Sequence, residues 1–180
     1  MRLLEKANKL VFVDIESTGL KGDYNSILCI SLKPYKGKAY AFECDDPGDD
    51  KSLVEAFRAE IQKYECAVTY YGKGFDWPMI NTRLLRHGFD PLKPMHHIDM
   101  YFSLKSKLLT ARRSQGHLLS WLETPEKKMS VSAQDWNRVL DPKTNAQAMA
   151  TMVKRCNSDT CGLQALYERT SHLIGDIRRG

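Results

Sequence analysis

The run Val11-Phe12-Val13-Asp14-Ile15-Glu16-Ser17-Thr18-Gly19-Leu20 constrains this chain more than any other stretch, because it is an apolar, strand-like segment that ends by presenting two carboxylates two residues apart. Successive side chains of a strand face opposite ways, so Asp14 and Glu16 share one face while Val13 and Ile15 take the other. Like charges held that close raise each other's pKa, and a divalent cation relieves the repulsion while leaving both groups ionised. An oxygen-only donor set suits Mg2+ or Mn2+ better than Zn2+. The plain alternative is that Asp14 opens a turn and Glu16 is solvated.

A chain of 180 residues is long enough for one well-cored domain, and residues 1–180 read as a single unit. Its 42% hydrophobic and 27% charged fractions are those of a globular protein, and no apolar run approaches the roughly 20 residues that span a bilayer. No membrane partner is expected. Residues 1–6 lack the apolar core of a signal peptide, so the expected location is the cytoplasm. Five cysteines (Cys29, Cys44, Cys66, Cys156, Cys161), odd in number and without a C-x-x-C pair, argue for reduced thiols rather than a disulfide framework or a zinc cluster. The net charge of +5 is compatible with a polyanionic partner, although a solvated basic surface gives the same value.

Residues 9–15, 26–33 and 38–43 are rich in Val, Ile, Leu, Phe and Tyr and are separated by turn signals, which predicts three strands, the last two joined by a hairpin over residues 34–38. Ser52, with Glu55 three residues on, predicts a capped helix to about residue 64. A fourth strand over 67–71, a helix over 77–87, a short strand near 96–98 and a mainly helical remainder complete an α/β domain with a mixed sheet. Residues 123–132, with Pro125, Lys127 and Lys128, read as a loop that either touches substrate or is a plain connector.

Two further motifs carry chemistry. In Tyr71-Gly72-Lys73-Gly74-Phe75-Asp76-Trp77-Pro78 a strand runs into a glycine-containing turn, and Asp76 is placed to cap the next helix, with Pro78 tolerated in its first turn. Such strand-to-helix junctions gather at one edge of an α/β sheet, where ligand crevices form. Near the C-terminus, Val153, Cys156, Leu163, Leu166 and Tyr167 recur at helical spacing as a buried face, and Asp159 lies on or beside it. A carboxylate there needs a metal or a neighbouring Lys or Arg.

The ordered pattern D-x-E-x-T-G, G-x-F-D and C-x-x-D resembles the DEDD, or DnaQ-like, superfamily of 3′-to-5′ exonucleases, nearest to its YprB-like and stand-alone phage or bacterial branch, over roughly residues 9–170. That resemblance implies a ribonuclease H-like α/β fold: a mixed sheet of about five strands, the second antiparallel, flanked by helices. It implies a two-metal site of Asp14, Glu16, Asp76 and Asp159 taking two Mg2+ or Mn2+ ions, with Asp14 bridging, one cation activating water and the other stabilising the leaving 3′ oxygen. Thr18, Gly19, Leu20 and Phe75 match the region that holds the terminal nucleotide. The implied partner is single-stranded nucleic acid, DNA before RNA, together with replication or repair proteins, and the implied location is a bacterial cytosol or, if phage-encoded, the host's.

One departure stands out. The family carries a Tyr four residues before the last Asp, or a His five before it, to position or deprotonate water; here those places hold Arg155 and Lys154. Arg stays protonated, so Arg155 cannot be a base, but it can hold a phosphate oxygen. Either the acidity that cations confer on water suffices, or His96, His97 or His117 serves. An exoribonuclease and a nucleic-acid-binding module with weak turnover are the alternative functions. Asp99 reads as a helix cap or a support behind the ligands. Lys73, Arg83, Arg86, Arg112, Arg113, Lys127 and Lys128 are candidates for phosphate contacts, and Trp77 and Phe102 for stacking on bases.

Overall fold

A computed structural model describes residues 9–141 and 145–174; residues 1–8, including the segment read as free of a leader, lie outside that description. The strands are β1 (Leu10–Ser17), β2 (Ile27–Pro34), β3 (Tyr40–Glu43), β4 (Cys66–Thr69) and β5 (His96–Asp99). The helices are α1 (Lys51–Ile61), α2 (Asp76–Arg86), α3 (Met100–Leu104), α4 (Gln115–Trp121), α5 (Ala133–Val139) and α6 (Asn145–Thr170), followed by a 3-10 turn at Ser171–Leu173. One sheet of order β3-β2-β1-β4-β5 forms, with β2 antiparallel to both its neighbours and β1, β4 and β5 parallel. This is the mixed, helix-flanked, five-stranded α/β sheet that the sequence predicts.

The central strands are buried on both faces, which is why β1 and β2 read as nearly continuous apolar runs. Val11, Val13 and Ile15 pack with Leu53, Val54 and Phe57 of α1 and Met79, Ile80 and Leu84 of α2. Leu10 and Phe12, turned the other way, pack with Leu118 and Leu119 of α4 and Leu163, Leu166 and Tyr167 of α6. Burying each such side chain stabilises the fold by about 1.5–3 kcal/mol. Alternation along β1 then sends Asp14 and Glu16 to the α6 side.

Several boundaries shift. The β1 strand runs to Ser17 because its pairing with β2 continues through Glu16 and Cys29 before a bulge at Glu16/Ser17, so both carboxylates lie inside regular strand. Ser52 does not cap α1: the helix begins at Lys51, preceded by Asp50, whose carboxylate makes no cap bond because Arg83, His87 and the Ile27 N–H occupy it. Asp76 is likewise the first residue of α2 rather than its cap. Residues 123–132 hold neither helix nor strand, as expected. The five cysteines are free thiols, and no described helix is long and apolar enough to cross a membrane.

Candidate active site

Asp14 and Glu16 from β1 meet Asp159 from α6, and one carboxylate oxygen of each lies within 4.8 Å of the others. The meeting depends on how α6 crosses the sheet. Ser31 of β2, paired with Asp14 in the register, donates its hydroxyl to Asn157 Oδ1 at 2.7 Å and lies 3.0 Å from Thr160 Oγ1. Cys156 Sγ donates to the Asp14 carbonyl at 3.2 Å. These contacts fix the helical turn that carries Asp159 above the two strand carboxylates. Glu16 and Asp159 are buried and Asp14 is half-buried, which leaves the cluster an approach from solvent.

Burial, reinforced by Asp159, pushes the Asp14 carboxyl up to about 7, and burial with the Asp14 charge pushes Glu16 up to about 8. Asp76 is raised well above the carboxylate range by burial and by Asp14, against the pull of its own N–H and that of Ile15. Two cations partly answer this charge. Lys128 Nζ lies 3.1 Å from Asp159 Oδ2, and Arg155 Nε lies 3.0 Å from Glu16 Oε1 and 3.8 Å from Asp159 Oδ2. Asp159 Oδ1 is buried without a hydrogen-bond partner among the described residues. An all-oxygen donor set with an unpaired buried carboxylate oxygen fits a hard divalent cation.

Asp159 thus joins the acidic cluster and is salt-bridged to Lys128 and Arg155. The structure brings Asp14, Glu16, Asp159 and Arg155 into contact, with Asp76 close enough to Asp14 to feel its charge. Thr18, Gly19, Leu20 and Phe75 line a cavity of about 340 Å³ beside Glu16. Its far wall was not legible in the sequence: Trp136 and Asn137 of α5 close it, and the Arg155 guanidinium sits 5.6 Å over the Trp136 ring. A Cβ at Gly19 would come 2.5 Å from Asn25 Oδ1, so a larger residue there would have to displace the Asn25 carboxamide.

Other expectations divide. Asp99 caps α3 through the Phe102 N–H and accepts the N–H groups of Tyr71 and Lys73, a support rather than a ligand. His97 is a buried neighbour of Trp77, its Nε2 2.8 Å from Thr69 Oγ1, and burial lowers its pKa to about 4. Trp77, packed 4.3 Å from His97, is thereby engaged within the protein. Arg83 is no phosphate contact: buried in the fold, it chelates Asp50 at 2.8–3.1 Å and donates to the Gly22 carbonyl. Lys73, Arg86, Arg112, Arg113 and Lys127 are exposed, as contact with a polyanion requires.

A family model described as "RNase_H superfamily" matches residues 11–171. The uncharacterized protein YprB of Bacillus subtilis (strain 168) is 33% identical over 99 residues, covering 52% of this chain and 24% of that protein. The family B DNA polymerase of the hyperthermophilic archaeon Pyrobaculum calidifontis superposes with a TM-score of 0.65 at 17% identity, over 90% of this chain and 24% of the polymerase. The chain thus spans about a quarter of the length of each, and the polymerase likeness is one of fold. With the sheet order, the converging carboxylates and a family match over nearly the whole described chain in agreement, the protein belongs to the ribonuclease H superfamily.

Proposed function

We propose that this protein is a metal-dependent 3′-to-5′ exonuclease that hydrolyses single-stranded DNA, or frayed 3′ ends, to nucleoside 5′-monophosphates. The observation that carries the reading is the meeting of Asp14, Glu16 and Asp159 within 4.8 Å around an unpaired buried carboxylate oxygen, with Asp76 beside them. Two Mg2+ or Mn2+ ions, which these four residues would hold, would supply the polarisation of water and scissile phosphate that this hydrolysis requires.

The chain's own residues divide the remaining work. The cavity lined by Thr18, Gly19, Leu20 and Phe75 takes the terminal nucleoside next to Glu16. A guanidinium is a donor and not a base, so Arg155 stabilises charge on the phosphate oxygens. Lys128 adds a second positive charge on the Asp159 side. Replication or repair is the proposed setting, prompted by the fold shared with part of a DNA polymerase. A second reading, a nucleic-acid-binding module with weak turnover, is favoured by the same two cations, because they already pair with Glu16 and Asp159.

The test is degradation of 3′-labelled and 5′-labelled DNA and RNA oligonucleotides in Mg2+, Mn2+ or EDTA, with Asp14→Ala alongside. Mononucleotides released from the 3′ end, only with metal and not by the variant, are the expected result. A faster rate on RNA would move the substrate to RNA, and binding without cleavage in every metal would establish the module.

A further inference from the structure

Five residues before Asp76 the chain adopts a conformation that side chains with a Cβ rarely take: Tyr71 sits at φ 65°. Asp99 holds it there, with Oδ1 accepting the Tyr71 N–H at 3.1 Å and Oδ2 the Lys73 N–H at 2.9 Å. The ring lies over Gly74, where a Cβ would come within 2.6 Å of it. This geometry turns Tyr71 outward, 46% exposed, against Phe102, itself 40% exposed. The two rings stack at 5.5 Å and 27°, and Tyr101 stands edge-on to both at 5.1 and 5.2 Å.

A cation sits on the rings: Lys105 Nζ lies 5.3 Å over Phe102. The Tyr70 hydroxyl donates to the Arg113 carbonyl, which brings the backbone of exposed Arg113 alongside, whereas Lys73 lines the neighbouring cavity with Trp77 and His97. The carboxylate beneath, Asp99, is buried and turned inward onto the N–H groups of Tyr71, Lys73 and Phe102. Exposed aromatic faces with a basic rim fit a chain of stacked bases and phosphates, since every base has a π-face and every link a charge. An apolar protein partner would have no use for Lys105 and Arg113 beside the rings.

We infer that Tyr71, Tyr101 and Phe102 form a stacking platform, flanked by Lys105 and Arg113, for the single strand upstream of the nucleotide at the acidic cluster. The assignment of upstream rests on the exonuclease reading. One loop joins the two places: Tyr71 stands at its start on the platform, and Phe75 and Asp76 at its end line the cavity and the acidic cluster.

Binding of 5′-labelled oligodeoxythymidylates of 2 and 12 nucleotides, measured by fluorescence anisotropy in EDTA, tests this without cleavage. Tyr71→Ala and Phe102→Ala are expected to weaken the 12-mer on the order of tenfold each and leave the dimer unchanged, while Tyr71→Phe keeps full affinity. Lys105→Glu should make the 12-mer's salt dependence shallower. Phe102→Ala and Lys105→Glu leave the strained Tyr71 backbone alone, so they decide the matter if the Tyr71 variant does not fold. Unchanged 12-mer affinity in those two overturns the platform and turns this face over to a protein partner, even where the parent cleaves DNA. A parent that binds the 12-mer through these residues yet cleaves nothing keeps the platform and overturns the exonuclease. A parent that binds neither length in EDTA overturns the platform, and the exonuclease reading is then decided by the cleavage assay in Mg2+ or Mn2+.

Discussion

Arg83 and Lys128 are alike in the sequence, each a cation near a chemical motif, and the fold gives them opposite duties. Arg83 is sealed against Asp50, where Arg83, the Ile27 N–H and His87 outweigh the effect of burial and hold the carboxyl below its usual range. Removing one partner of such a pair strands a buried charge at a cost of about 3–5 kcal/mol. Arg83→Ala is therefore expected to lower the urea midpoint sharply while the folded fraction cleaves normally. Lys128, by contrast, is partly exposed, runs its stem past Gly116 and sets its ammonium 3.1 Å from Asp159 Oδ2. Lys128→Ala should fold like the parent and lose on the order of 10²-fold in cleavage rate. A Lys128→Ala enzyme with the parent's rate would remove that residue from the site.

At the scale of elements, α6 organises the site, since one helix supplies Arg155, Asp159 and the turn that Ser31 fixes to the sheet. Its partner is α4, and they approach closely at Gly162, where a Cβ would lie 2.8 Å from Leu119 Cδ1 and 3.2 Å from Gln115 Nε2. Gln115 in turn donates to the Asp159 carbonyl at 2.7 Å. Glycine within a helix costs about 1 kcal/mol relative to alanine, and the close packing accounts for its presence. Gly162→Val is expected to destabilise the protein by about 1–3 kcal/mol in urea denaturation and to slow cleavage, because Asp159 rides on the displaced turn. Stability equal to the parent's would show that the two helices are looser than this.

For the molecule as a whole, the acidic cluster ties stability to pH. An acid whose pKa is raised by folding binds its proton more tightly in the native state, so Asp14 and Glu16 contribute stability at low pH that is lost as pH rises through about 7 and 8. Asp50, with its lowered pKa, acts oppositely: its contribution is present above the ordinary carboxylate range and lost on acidification. In EDTA the melting temperature is expected to fall between pH 5.5 and pH 8.5. Mg2+ or Mn2+ should restore it at pH 8.5 and do little at pH 5.5, where protons compete for the same oxygens. A melting temperature in EDTA that is flat over this range would disprove the coupling.

Signals of short range were readable from the chain alone: the two-residue alternation of β1, which puts Asp14 and Glu16 on one face, and the 3.6-residue repeat of α6, which puts Asp159 beside Cys156 on a buried one. These follow from backbone geometry within a few residues, and they were enough to indicate an α/β domain and a carboxylate pair, while the ribonuclease H-like fold and the gathering of Asp159 with that pair were what the family resemblance implied. Contacts between distant segments were not readable. Asp50 and Arg83 are 33 residues apart and Asp159 lies far along the chain from Lys128, and nothing local marks one as the other's partner. The same holds for Trp136 across the cavity from Phe75, and for Asp76, which opens α2 within reach of the Asp14 charge rather than capping that helix. Periodicity specifies which face of an element is buried, whereas only the packed sheet and helices decide which two buried faces meet.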